Sequence, residues 1–592
     1  MTQVDRFFVL LFMLLLTVSL TSCAPEEGYI PVHGVSPSTT FGFQTAPPNS
    51  GSGAQGDPWQ ISTPEHLAWM ADPDYLERLA GYYLLVNDIT APDNLVIAPV
   101  PEGSGPMYAD SPDIFQGRFN GNGYTITVNI YLPGHDYVGL FGQIGENGLV
   151  QSLTVSGRVE GSRATGGLAG INDGKVTDST AYVEVTGEFE AGGLVGQNFG
   201  TVQDSYAAGN VSGESVVGGL VGRSWDGRVL NSQASGNVSG DSSTGGLIGM
   251  NGVFEIAVDS EIINSHATGN VRGDEYAGGL VGGNMGTIQG SYAIGNVSGD
   301  FSTGGLAGSN FGTIQGSHAT GDATGRDVVG GLVGMDMGGT VRNSYASGAV
   351  SGDRMVGGLI GITAGELQGG FATGYVSGQF GTGGLIGHNL GRVLNAYATG
   401  NVSGQVGTGG LIGHNLGTVL NTYATGHVRN DAEHTERFAH ADNGAGGLIG
   451  ATLDADSGDA ELLAMGITFS DSTALLSSVA MNTAVEGPTG FTFRIWGNGI
   501  IDNVSGNYAS SAIHIYIGGQ PFTGAGNRNN RLGQTVAPEK LATEVFWRET
   551  MGWDFDDIWI WDSIRNLPTL RDLPRVEVPM SANYDDYDDE RG

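Results

Sequence analysis

The sequence predicts an all-β fold, a right-handed parallel β-helix (solenoid) of about 26-residue coils with N- and C-terminal capping segments. Three observations predict it. The tripeptide Gly-Gly-Leu recurs, with its first glycine at 166, 192, 218, 245, 278, 304, 330, 357, 383, 409 and 446. Most neighbouring copies lie 26 residues apart, and a period of that size marks a stacked array. Each copy holds three short β-rich runs, as in "GGLIG", "TVLNTYA" and "NVSG", and none shows helical spacing. The 103 glycines lack the three-residue period of collagen. Three strands make one coil, each pairing with its counterpart one coil on, about 4.8 Å away. Parallel crossovers are overwhelmingly right-handed. Roughly twelve coils then give a rod of roughly 58 Å.

The elements follow in order. Residues 1–22 read as a lipoprotein signal peptide: Arg6 precedes the apolar run "FFVLLFMLLLTVSL", which is short for a spanning helix. "LTSC" resembles a bacterial lipobox, which implies cleavage before Cys23 and lipidation of that residue. Ala24 behind it favours the outer membrane in a Gram-negative cell. Residues 23–58, rich in Pro, Gly, Ser and Thr, read as a lipid-anchored flexible linker. Residues 59–136 form an N-terminal cap and the first coils. Thr63 and Pro64 start a helix with Leu67, Met70 and Ala71 on one stripe, "YYLLVNDI" is a strand, and "FQGRFNGNGYTITVNIYL" is strand, tight turn, strand. Residues 137–455 are the repeat, 456–575 worn last coils and a C-terminal cap, and 576–592 an acidic tail.

Copies longer than 26 residues show where the coil tolerates insertion. Extra residues fall soon after the glycine motif at 223–228, 250–262 and 335–340, and before it at 429–445. Two loops are permissive and the rest holds register. Glycines are expected at tight corners and at positive φ.

Stacking turns equal positions into rows along the rod. One row is asparagine: Asn210, Asn237, Asn270, Asn296 and Asn401, whose amides are expected to bond along the axis. A second is aromatic: Tyr206, His266, Tyr292, His318, Tyr345, Phe371, Tyr397 and Tyr423. Its tyrosines Tyr206, Tyr292, Tyr345, Tyr397 and Tyr423 are the candidate ligand contacts if the row faces out, and core packing if it faces in. A third row is acidic and includes Glu214, Asp241, Asp274 and Asp300. Stacked carboxylates repel, and oxygen-bound calcium would relieve that. The alternative is a solvated, screened corner. Leu194, Leu220, Leu306 and Leu385 are expected to fill the bore.

Charge narrows the partners. The formal net charge is -37, with lysine only at Lys175 and Lys540. Phosphate recognition needs clustered Lys and Arg, so nucleic acid is excluded as a partner. A lone cysteine, Cys23, excludes an intramolecular disulfide and a cysteine-rich metal site. A saline habitat also fits the acidity.

Taken together, "GGLVGQNFGTVQDSYAAGNVSG" and its sister copies resemble the GLUG motif of bacterial cell-surface proteins. The resemblance covers roughly residues 137–450. The flanking "WQISTPEHLAWMA" and "GWDFDDIWIWDSIRNLPTL" resemble the opening and closing segments of such proteins. It implies surface location and rod shape more than an activity. Some relatives of this kind are zinc peptidases, but the His-Glu-x-x-His helix they need is absent here, as are the Gly-x-Ser-x-Gly and Walker-type stretches. Glu433, His434, Glu436 and His440 have the wrong spacing. The expectation is a surface-exposed, non-catalytic, adhesin-like solenoid for an extracellular glycan or protein. The alternatives are a polysaccharide lyase or hydrolase, or a passive spacer. Calcium is the one cofactor considered.

Overall fold

The computed structural model describes residues 44–100, 113–253, 260–431, 444–452, 473–487, 492–498, 501, 503–522 and 532–573. The chain winds as a parallel β-solenoid. One wall is a thirteen-stranded sheet whose neighbours are always consecutive coils, from Phe141–Ile144 to Trp496–Asn498. The remaining strands pair the same way: Val176 faces Val202, which faces Val229. Register survives insertion, since Arg228 pairs with Glu261 although 33 residues separate them.

Each coil differs in detail from the three expected runs. Gly-Gly-Leu is not one strand: its first glycine ends the strand Ser215–Gly218, and its second glycine and leucine are the bend before Val221–Ser224, a pattern that recurs in the other coils. These glycines do not adopt positive φ. They permit close approach. A Cβ on Gly219 would sit 3.0 Å from the Cβ of Ala234 on the opposite wall, and one on Gly218 only 2.7 Å from the amide nitrogen of Gly249 in the next coil. Positive φ recurs in two rows: one filled mostly by Asp and Asn, at Asp178, Asp204, Asn231, Asn264, Asn343, Asn395 and Asn421, and a second of mixed residues, from Ala164, Glu190 and Val216 to Val328 and Met355. The short polar side chains of Asp and Asn tolerate the left-handed region.

Leu168, Leu194, Leu220, Leu306 and Leu385 are fully buried and fill the bore with Val176, Val202 and Ala207. The N-terminal end is closed by the helix Pro64–Met70, with Thr63 at the N-cap position and Pro64 in the first turn. Its Leu67 and Met70 join the bore cluster, and Trp59 packs on Tyr83 at 5.2 Å. The run at 115–132 does not fold back on itself. Arg118–Asn120 and Thr125–Tyr131 pair in parallel with strands of the neighbouring coils, so the Asn-Gly turn is already a solenoid corner. At the far end, His514–Ile517 turns back into Gln520–Phe522 as an antiparallel hairpin, and Gln534–Val536 then adds a last parallel strand beside Tyr508–Ser510.

Both permissive loops lie between strands as the repeat lengths imply. A third insertion, between Ile449–Ala451 and Ala474–Leu476, uses the same slot as 250–262. The centres of these loops, Cys23, the Glu433–His440 cluster and the tail lie outside the described residues.

Candidate binding face along the aromatic row

Adjacent residues of a strand point to opposite faces. Ala424 belongs to the bore cluster, so Tyr423 points outward, and the whole aromatic row lies on the flank of the rod. From His266 to Tyr423 the rings stack at 4.6–5.0 Å with interplanar angles of 3–9°. Gln233 interrupts the stack, and Tyr206 stands beyond it, its hydroxyl 2.6 Å from Ser235 Oγ. Burial lowers the pKa of His266 and His318, so neutral imidazoles alternate with phenols. Each ring spends its faces on its neighbours along the axis, and only edges look outward.

The row divides into two halves. His266, Tyr292 and His318 are half-buried. From Tyr345 onward a strap formed by residues 537–573 covers it, leaving Tyr345 9%, Phe371 1%, Tyr397 5% and Tyr423 1% exposed. Three tryptophans of the strap, Trp547, Trp553 and Trp559, lie 5.8, 6.3 and 6.4 Å from the Tyr423 ring. Burial raises the phenol pKa of Tyr397 and Tyr423. Of the five candidate tyrosines, therefore, Tyr345, Tyr397 and Tyr423 are packed under the strap. Tyr206 and Tyr292 remain accessible. The strap forms a cluster separate from the bore, so it clads a flank.

The acidic row keeps the expected register: the amide of Asp241 donates to the carbonyl of Glu214 at 2.8 Å, and that of Asp300 to Asp274 at 3.0 Å. Glu214, Asp241, Asp274 and Asp300 are all exposed. Among the described residues no three acid, histidine or cysteine side chains converge as for a metal ion. The buried acid Glu190 is held by Arg163 at 3.2 Å and Arg223 at 3.3 Å.

The exposed asparagine row bonds differently from expectation. Each Oδ1 accepts the backbone N–H of the next coil, from Asn237 to Asn210 and Asn270 to Asn237 at 3.0 Å, and Asn296 to Asn270 at 2.9 Å. The requirement is an acceptor, so Asp322 continues the row and takes the N–H of Ala349 at 2.8 Å.

A second polar row, missed by the sequence reading, runs through the fully buried wall. Nδ2 of Asn251 donates to Oδ1 of Asn284 at 2.9 Å, Asn284 to Asn310 at 2.8 Å, Asn310 to Asp336 at 2.8 Å and Asn389 to Asn415 at 2.7 Å. Its signal was the polar residue four positions after the leucine of every Gly-Gly-Leu. Burial pushes the Asp336 carboxyl up to about 6, against the opposing pull of hydrogen bonds from Thr363 and Asn310. One position earlier in the strand, His414 Nδ1 lies 2.7 Å from His388 Nε2, both rings fully buried. Gly381 and Gly407 face these rings at positive φ, where a Cβ would collide with the imidazoles. Burial lowers both histidine pKa values, that of His414 to about 3.

Comparison with known proteins agrees with the repeat. The model of the GLUG motif matches residues 213–239 and 378–403, so the chain carries that motif. A provisionally named Gly-rich membrane protein of Evansella cellulosilytica is 39% identical over 132 residues, 21% of this chain and 14% of that protein. Halomucin of Haloquadratum walsbyi is 32% identical over 137 residues, 22% of this chain and 1% of that protein. The matched segments thus span a small part of both relatives. A crystal structure from Bacteroides ovatus, provisionally described as an immunoglobulin A1 protease, aligns over 89% of this chain and 96% of that one. Its identity is 12% and its TM-score 0.21, and at that score the likeness carries no argument.

Proposed function

We propose that this GLUG-motif solenoid is displayed at a bacterial cell surface and binds extracellular glycans without catalysing a reaction. The observation that carries the reading is the exposed row Asn210, Asn237, Asn270 and Asn296. Backbone N–H groups hold the Oδ1 atoms at 2.9–3.0 Å, which fixes the amides at one-coil spacing. Their Nδ2 donors form a comb already ordered before binding, so little side-chain entropy is lost when hydroxyls dock. The membrane location in the name of the Evansella relative supports the surface placement. Lipidation of Cys23 would supply the anchor. Metabolic lipid labelling of wild type against Cys23→Ala tests that part, and equal labelling refutes it.

A protein partner is the second reading, favoured by the strap: the chain's own tryptophans show how a protein surface seats on the ring edges, and Tyr206 and Tyr292 leave that row open. A glycan array probed with the full chain tests the first reading. Signal lost in the Asn237→Ala, Asn270→Ala double variant supports it. Signal on no glycan rejects it and leaves the protein reading.

A further inference from the structure

The strap and the flank it covers do not meet flush. Between them lies a cleft of about 190 Å³. That is about six waters' worth of liquid, room for one sugar ring and not for a chain. The positive-φ corner row reads Gly290, Gly316, Asn343, Gly369, Asn395, Asn421, and of the three positions that line the cleft, Asn343, Gly369 and Asn395, Gly369 is the one without a side chain. A Cβ on Gly369 would lie 2.5 Å from Asn343 Oδ1, so a side chain here requires the Asn343 amide to swing aside.

The groups around the cleft have complementary chemistry. On the solenoid side Arg342 and Gln368 are neighbours one coil apart, beside the amides of Asn343 and Asn395. On the strap side Arg571 is fixed by donating to the carbonyl of Phe555 at 2.7 Å, and Leu570 supplies an apolar wall. Arg342 makes no ion pair with a carboxylate among the described residues. The cleft lining holds two guanidiniums and two carboxylates, in a chain with 24 basic residues against 61 acidic ones. Guanidinium forks match a carboxylate, and side-chain amides pair with hydroxyls as donor and acceptor.

The geometry points to this cleft as a site for a single acidic sugar unit, a hexuronate at the end or branch of a glycan. Arg342 and Arg571 take its carboxylate, and Asn343, Gln368 and Asn395 take its ring hydroxyls. Asp557 and Asp572 at the strap edge accept from hydroxyls and disfavour a ligand carrying more than one negative charge. The site rests on the glycan-binding reading above and names the sugar class and the place.

The test uses the full chain and two probes that differ only at C6, methyl glucuronide and methyl glucoside, with binding read by ligand-observed NMR titration. Wild type should bind the glucuronide at least tenfold more tightly. Gly369→Asn fills the cleft with the residue that holds the same corner in the coils on either side, so the fold persists, and binding should vanish. Arg342→Gln should bring the glucuronide down to the glucoside level. Equal binding of the two probes, or unchanged binding in Gly369→Asn, overturns the site. If the glycan array is positive while this titration fails, the cleft assignment falls and the general reading stands. If both fail, both fall.

Discussion

The phenol hydroxyl of Tyr423 donates a 2.8 Å hydrogen bond to the carbonyl oxygen of Pro568, 145 residues further along the chain. That bond joins the last ring of the stacked row to the closing hairpin of the strap, Trp559–Asp562 with Leu567–Leu570. It explains why the row is buried at one end and open at the other.

The strap should therefore release without unwinding the rod. Trp559 is fully buried among strap and row. Truncation of a buried tryptophan costs about 3–5 kcal/mol, and here the loss falls on a cluster separate from the bore. Hydrogen exchange of Trp559→Ala should show lost protection across residues 537–573 and intact protection in the coils. Equal loss in both would mean the strap also holds the rod together.

The two asparagine rows should respond differently to truncation. Asn284 is buried, donates to Asn310 at 2.8 Å and accepts from Asn251 at 2.9 Å. Asn284→Ala strands both neighbours and should cost roughly 2–4 kcal/mol in urea unfolding. Asn237→Ala removes one acceptor at the surface and should cost roughly 0.5–1 kcal/mol. Asn237→Asp should be close to neutral, because Asp322 already serves in that row.

Asp336 should make the rod less stable at neutral than at mildly acidic pH. Burial pushes its carboxyl up to about 6, from the ordinary aspartate value of 3.8. Between those values the folded state holds the extra proton, so stability falls as pH rises through that window and stays lower above it. Two units correspond to about 3 kcal/mol as a ceiling. Asp336→Asn should raise the urea midpoint at pH 8 and leave it nearly unchanged at pH 4. A gain of equal size at both values would point to packing instead of charge.

The His388–His414 pair acts in the opposite sense. Both folded pKa values are depressed from 6.5, so the unfolded state takes up protons first and stability falls as pH drops below 6.5. At 2.7 Å only one proton fits between the facing nitrogens, which opposes double protonation. Amide protection in Ile386–Asn389 and Ile412–Asn415 should weaken from pH 8 to pH 5. Replacing both rings, His388→Met with His414→Met, follows Met335 in the same row and should flatten that dependence. A variant as acid-sensitive as wild type would clear the histidines.

The solenoid was legible because its period is written in the sequence and each coil must pair with an identical neighbour. That constraint sets the register of Tyr206, Gln233, His266 and Tyr292 from repeat counting alone. The buried polar row was overlooked because Asn in a Gly-rich repeat reads as a turn residue, while here its amides satisfy one another inside the wall.

By itself, the sequence determined the parallel stack, the coil length, the slots for insertion and which residues share a row. These are properties of repetition, and repetition is one-dimensional. Only the tertiary structure decided that the aromatic row faces out, that its ring faces are spent on each other, and that the strap closes over Tyr345 to Tyr423. It also decided that Gly369 lines a cleft beside Arg571. The strap is not a repeat, and its contacts join residues more than a hundred positions apart, so no period could announce where it lands.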